Sequence, residues 1–442
     1  MLSLERLRPL RYPARLEQYL NTTSPLILAT LIVYFLIRGL TLIPLSNGGT
    51  DLVDADIPKS LMLLHGQNPY STQPWASPYP PLLLLVDSGI IRLTGLFSSQ
   101  PSSDLISQNL RIAGLFATTL AAFTIFLYLR KHTQNPLTPL ISTGLFLTLP
   151  ALSISPFYFF HSDTFGYPIL ALSLIALASR RYMIGTSLLA TATIFKIHPI
   201  LAIPLVLIWL ARNNGLRNIL PSLASTITIT TLGLALPTTI PGYTESVLGF
   251  NLANTGNGTT LNTLLTSASN LLPPQLQFTP TTVLANQIWI TSTLALYTII
   301  LGTVWTRARR LGPIDIVLLG LLAWLIPLKI EYTHYVAWAI IPLLMRGQIR
   351  QTIPLLGLLQ TADALSYWSW WPNTSPISGV DTFTSMLIIS LIYRTISIAG
   401  LAFVLYSTRQ KSPLFSVNRV SEPDRSLDET SRIGEELAPM VS

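Results

Sequence analysis

PLILATLIVYFLIRGLTLIPL, from Pro25 to Leu45, is an unbroken apolar run carrying a single charge, Arg38. At about 1.5 Å per helical residue it covers about 30 Å, the thickness of a bilayer's hydrocarbon core. Ile112–Leu129 and Met386–Tyr406 repeat the pattern. Half of the 442 residues are hydrophobic and 10% are charged, with a mean hydropathy of +0.51. This composition predicts one all-α, polytopic membrane domain rather than several soluble ones. The N-terminus is polar and basic with no small-residue cleavage site, unlike a signal peptide. The chain has no cysteine, which excludes disulfides, thiolate metal sites and cysteine nucleophiles. The net charge of +8 does not read as a nucleic-acid surface, because the basic residues are scattered between apolar segments.

Those basic residues predict the topology. Lys and Arg collect at cytoplasmic helix ends. Alternating the spans places 20 of the 27 on one side: Arg6, Arg8, Arg11 and Arg15; Arg130 and Lys131; Arg180 and Arg181; Arg212 and Arg217; Arg307, Arg309 and Arg310; Arg346 and Arg350; and Arg409, Lys411, Arg419, Arg425 and Arg432. The expectation is twelve spans with both termini cytoplasmic: 25–46, 105–130, 137–155, 166–179, 182–195, 199–211, 218–238, 283–305, 314–328, 333–345, 351–367 and 382–406. A basic N-terminal segment, 1–24, precedes this membrane domain of 25–406, and a polar tail, 407–442, follows and reads as disordered. Residues 47–104 form a long first external loop carrying amphipathic helices. Within it Leu82–Phe97 is apolar but holds Asp87 and Arg92. It reads as a helix lying in the interface or dipping partway in.

Two hairpins, 182–211 and 314–345, have arms too short to cross the core. Their turns, Phe195-Lys196-Ile197-His198-Pro199 and Lys329-Ile330-Glu331-Tyr332-Thr333-His334, should therefore lie below the external surface. Ionisable groups at such depth are costly and normally face a wet cavity or each other. Lys196, His198, Lys329 and His334, with Glu331 as an internal partner, read as a cluster for an anionic headgroup. The bland alternative is a buried Lys–Glu pair that fixes helix packing.

Three carboxylates, Asp51, Asp54 and Asp56, follow the first span. Asp51 and Asp54 are candidate general bases or ligands of a divalent metal, or solvated loop acids. Asp56, directly before Ile57-Pro58, reads as a helix N-cap. Arg111 heads the second span and either clamps a phosphate or snorkels to lipid headgroups. His161 and Asp163 either join the site, bind metal, or are simply solvated loop residues. Trp368, Trp370 and Trp371 read as interfacial anchors more than sugar-stacking rings, and sequons begin at Asn257 and Asn373. The chain has no Walker A, Gly-rich dinucleotide loop or HExxH.

The order of these motifs carries a resemblance. Gly49-Thr50-Asp51 follows the first helix, then come Leu64-His65-Gly66-Gln67-Asn68-Pro69-Tyr70 and Tyr79-Pro80-Pro81-Leu82. Arg111 heads the next helix, Lys196 precedes Pro199, and a charged, His-containing turn precedes a later span. Across roughly residues 25–345 the chain resembles the GT-C superfamily of polytopic glycosyltransferases, particularly polyprenyl-phosphate-mannose-dependent mannosyltransferases. The family's later motif is often His-Glu-Lys-like, where this chain has residues 329–334. The resemblance implies an inverting transfer on the extracytoplasmic side, from a lipid-phosphate sugar to a glycan or glycolipid hydroxyl. It implies Asp51 as base, with Arg111, Lys196 and His334 holding the donor phosphate. Tyr79, His161, Asp163 and Glu331 are then candidate substrate contacts, and membrane lipids the surrounding partner. A transporter or flippase for an anionic or lipid-linked substrate is the rival class. It would predict inverted repeats, and the only echo is Phe195-Lys196-Ile197 against Leu328-Lys329-Ile330.

Overall fold

A computed structural model describes residues 14–43, 55–71, 79–97, 101–149, 162–249, 261–270, 272–279, 281–327, 335–348, 352–357 and 382–407. Among the described residues all regular structure is helical. The order is α1 (Ala14–Leu42), α2 (Ile57–Leu64), α3 (Pro81–Phe97), α4 (Ser103–His132), α5 (Leu137–Thr148), α6 (Gly166–Ala178) and α7 (Tyr182–Phe195). Then follow α8 (Ala202–Asn214), α9 (Leu216–Thr230), α10 (Leu261–Asn270), α11 (Thr282–Arg307), α12 (Pro313–Leu325), α13 (Val336–Met345) and α14 (Thr382–Ser407). Single 3-10 turns at Ser162–Phe165 and His198–Leu201 lead into α6 and α8.

Every apolar range read from the sequence contains helix. Thr22–Leu42, Ser103–His132, Ile219–Thr239 and Thr282–Arg310 are each long and apolar enough to cross a membrane. They are accompanied by shorter apolar helices, among them α5, α7, α12 and α13. The first helix begins earlier than the apolar run: α1 starts at Ala14 and carries Pro25 in its interior. Residues 14–20 are mostly strong helix formers, so the helix continues across the boundary expected at residue 24.

The long helices turn apolar side chains outward, as Val33, Ile37, Phe116, Leu120, Leu294 and Ile299 do. A helix that is apolar all round belongs in a core, and α12 is that core. Every residue of α12 except Trp324 is buried, as is every residue of α13. Helices α6, α8, α11, α13 and α14 pack around α12. Gly320 permits the α8 contact, since a Cβ there would lie 2.4 Å from the Cα of Ala202. At one end of this core Arg346 Nε meets Asp315 Oδ1 at 2.8 Å, joining the start of α12 to the end of α13. The opposite ends of these two short helices lie about 15–20 Å away along the axes. That is well short of the about 30 Å of a hydrocarbon core.

Helices α2 and α3 pack on each other and on α4. The face of α3 that packs inward holds Asp87, Ser88 and Thr94, while Leu85, Leu93, Leu96 and Phe97 are exposed. Ser88 Oγ donates to Ser60 O at 3.0 Å, and Asn109 Nδ2 to Thr94 Oγ1 at 3.0 Å. Lys59 lies buried on α2, and burial lowers its pKa. One local expectation fails here. Asp56 has helical backbone angles, is buried and makes no side-chain capping bond. Residues 55–56 form π-helix ahead of Ile57, so Asp56 holds the position before α2, with Pro58 in the first turn, but lacks the extended backbone of a capping residue.

Candidate functional site

Helix α7 ends at Lys196 because the backbone turns extended there (φ −149°, ψ 131°). Pro199, three residues on, cannot donate to a continuing helix. The chain then makes the His198–Leu201 turn and enters α8. This break aims the Lys196 side chain away from its own helix. Its Nζ lies 3.1 Å from Asp163 Oδ1, on the turn that begins α6, and both side chains are almost fully enclosed. Two rings flank the ammonium. The Tyr79 centroid lies 4.7 Å from Nζ and the Tyr335 centroid 5.0 Å. Tyr79 comes from the segment before α3 and Tyr335 from the residue preceding α13, so one cation gathers four distant parts of the chain.

His198 stands beside it. Its ring lies 4.2 Å from that of Tyr335, with Trp324 at 5.7 Å and Trp338 at 6.2 Å. Among the described residues neither imidazole nitrogen has a hydrogen-bond partner, and the same holds for the indole nitrogens of Trp324 and Trp338. Trp338 also meets Tyr167 edge-on, at 5.6 Å. The result is a buried aromatic wall with nitrogens to offer, adjoining an ion pair whose ammonium lies between two more rings. Cation–π contacts of this kind are worth about 0.5–2 kcal/mol each. A lone buried charge would cost several kcal/mol, so Asp163 and the rings together make the ammonium tolerable at this depth.

Arg111, on α4, is 1% exposed, and its Nε donates to Ser107 Oγ at 3.3 Å. An arginine enclosed this way is not snorkelling to headgroups. Helix α4 packs on the 3-10 turn that holds Asp163. Phe165 of that turn packs both against the cluster containing Leu110 and against the cluster containing Tyr79 and Phe195. Tyr79, Arg111, Asp163, Lys196 and His198 thus belong to neighbouring elements at one end of the bundle. Asp51, Asp54, His161, Lys329, Glu331, His334 and the Trp368–Trp371 cluster lie outside the described residues. Among the described residues no three His, Cys, Asp or Glu side chains gather as a metal site would need.

Some members of this site escaped the sequence reading. Trp324, Tyr335 and Trp338 sit in apolar segments where aromatic residues pass for core. Their only signal is that they bracket the charged stretch 329–334. Arg394, mid-way along α14, donates from Nη1 to Ile326 O at 2.7 Å. It thereby holds a carbonyl at the end of α12. No protein-family model and no curated protein matches the chain.

Proposed function

We propose that the chain is a membrane glycosyltransferase that moves a hexose, mannose by resemblance, from a polyprenyl-phosphate donor to a lipid-linked or glycan hydroxyl. On this reading twelve spans hold both termini in the cytoplasm, α3 lies in the external interface, and the reaction runs on the extracytoplasmic side. The acceptor oxygen attacks the anomeric carbon from the face opposite the phosphate. The bond to the phosphate oxygen breaks with its electron pair remaining on that oxygen, and Asp51 takes the acceptor's proton, with Asp54 as second candidate. The configuration at the anomeric carbon inverts. Arg111, Lys196, His198, Lys329 and His334 bind the donor phosphate and stabilise the charge it gains as it leaves. Tyr79, His161, Asp163 and Glu331 line the substrate site.

The observation that carries this reading is the Lys196 environment. A cation held at the sunken end of short helices, between aromatic rings and against one carboxylate, suits a phosphate arriving sideways through the membrane. Its lipid chain stays in the bilayer while its headgroup reaches a polar recess. A soluble sugar nucleotide would have no need of a site at that depth.

Deleting the gene and profiling lipid-linked and glycan intermediates by mass spectrometry tests the reading. The expected result is accumulation of an acceptor lacking one hexose. Accumulation of a finished lipid-linked product on the wrong side of the membrane would instead indicate transport.

A further inference from the structure

The Asn68-Pro69-Tyr70 element stands apart from the Lys196 site, yet it is tied to it by a continuous set of contacts. Asn68 Nδ2 donates to Pro241 O at 2.8 Å, across 173 residues of sequence, while its Oδ1 accepts from Tyr70 N at 3.0 Å. Tyr70 meets Tyr243 edge-to-face with centroids 5.1 Å apart. Between them lies Gly242, at φ +81°, where a Cβ would fall 2.2 Å from Tyr70 O. Only glycine combines that backbone angle with so close an approach. Leu84 and Val247 complete a buried cluster with the two tyrosines. Burial, and for Tyr70 also the neighbouring Tyr243, raises both phenol pKa values. Tyr70 then spends its hydroxyl on the backbone of the site: Oη donates to Tyr79 O at 3.0 Å, in a buried bond. Tyr79 is the residue whose ring covers Lys196 Nζ.

We propose that residues 68–70 and 241–243 form a clasp between the segment following α2 and the segment following α9, and that Tyr70 is a positioning residue which sets Tyr79 over Lys196. The inference rests on the Lys196 site being the donor-phosphate site. It gives the Asn-Pro-Tyr element a mechanical role: proline holds the turn, asparagine joins the loops, and tyrosine transmits their position to the cation. Any donor that binds Lys196 then meets a ring whose place is set by two loops at once.

Tyr70→Phe removes one buried hydroxyl and leaves the ring edge in place. It should raise the KM for lipid-phosphate mannose about tenfold with kcat unchanged, beside the modest fall in melting temperature that loss of one buried hydrogen bond entails. An unchanged KM would overturn the proposal, and so would a fall in melting temperature with no change in KM. The cysteine-free chain offers a second arm through the double variant Asn68→Cys, Pro241→Cys. Reduced, it has lost the Asn68 bond and should show a raised KM. Oxidised, the disulfide should rejoin the loops and restore donor affinity. A disulfide that forms yet leaves KM raised, or stops turnover, would contradict a clasp that stays closed during catalysis. If the wild-type protein transfers no sugar, the glycosyltransferase reading fails by itself. The clasp is then read by binding of a fluorescent polyprenyl phosphate to the same variants, where equal affinity in all of them would overturn it.

Discussion

At Lys196 the ammonium and the ion pair can be removed separately, and the two losses differ. Lys196→Ala leaves Asp163 as a buried carboxylate without its 3.1 Å partner. Stability should fall by about 3–5 kcal/mol, the usual cost of breaking a buried pair from one side. The double variant Lys196→Met, Asp163→Asn removes both charges and should recover most of that loss. Neither protein should bind lipid phosphate, and binding retained by the double variant would make the pair merely structural. Melting curves in detergent together with donor binding read both effects. The sequence made Lys196 legible as a deep cation next to Pro199, but it suggested Glu331 as partner. Glu331 lies outside the described residues; the partner found among them, Asp163, lies on a turn 33 residues upstream that the packing of α6 against α7 brings near. Tyr335 and Trp338 were illegible for a related reason: an aromatic residue in an apolar run looks the same whether it packs in a core or faces a cation. Asp56 misled because its cap signature is purely local, whereas helical backbone already begins before it.

At the scale of elements, two glycines predict opposite outcomes. Gly320→Ala would push a methyl into the backbone of Ala202, since a Cβ there meets its Cα at 2.4 Å. Backbone cannot rotate out of the way, so α8 and α12 must separate, at a cost of about 1–3 kcal/mol. Gly95, on the exposed face of α3, has nothing within 4 Å of its notional Cβ. Gly95→Ala should therefore raise stability, by about 0.5–1 kcal/mol. Thermal unfolding of the two variants distinguishes them, and equal behaviour would refute the close α8–α12 crossing. The helices themselves were readable because apolar runs, prolines and basic flanks mark their ends. Their neighbours were not, since α12 as the hub depends on shape and on one missing side chain. The inverted character of α3, with Asp87 inward and Leu93 outward, was only half legible. The sequence showed charges within an apolar segment but not which face they take.

For the whole molecule, an extracytoplasmic reaction requires two opposed ends. The Asp315–Arg346 pair lies at one end of the α12–α13 core, and the Lys196 site lies beyond the other. On the proposed topology Ser71, exposed beside the clasp, faces outward, and Arg310, exposed before α12, faces the cytosol. A membrane-impermeant maleimide should label Ser71→Cys in intact cells, and Arg310→Cys only after permeabilisation. The reverse pattern would invert the molecule and place the site in the wrong compartment for an extracytoplasmic donor.

We propose that the protein transfers sugar with Asp51 as its base, and transfer itself is the direct measurement. Membranes containing wild-type protein, supplied with radiolabelled polyprenyl-phosphate mannose, should pass label to an acceptor. Membranes with equal amounts of Asp51→Asn should do so at least about a hundredfold more slowly, as loss of a general base requires. Equal label transfer by the two proteins would contradict the account.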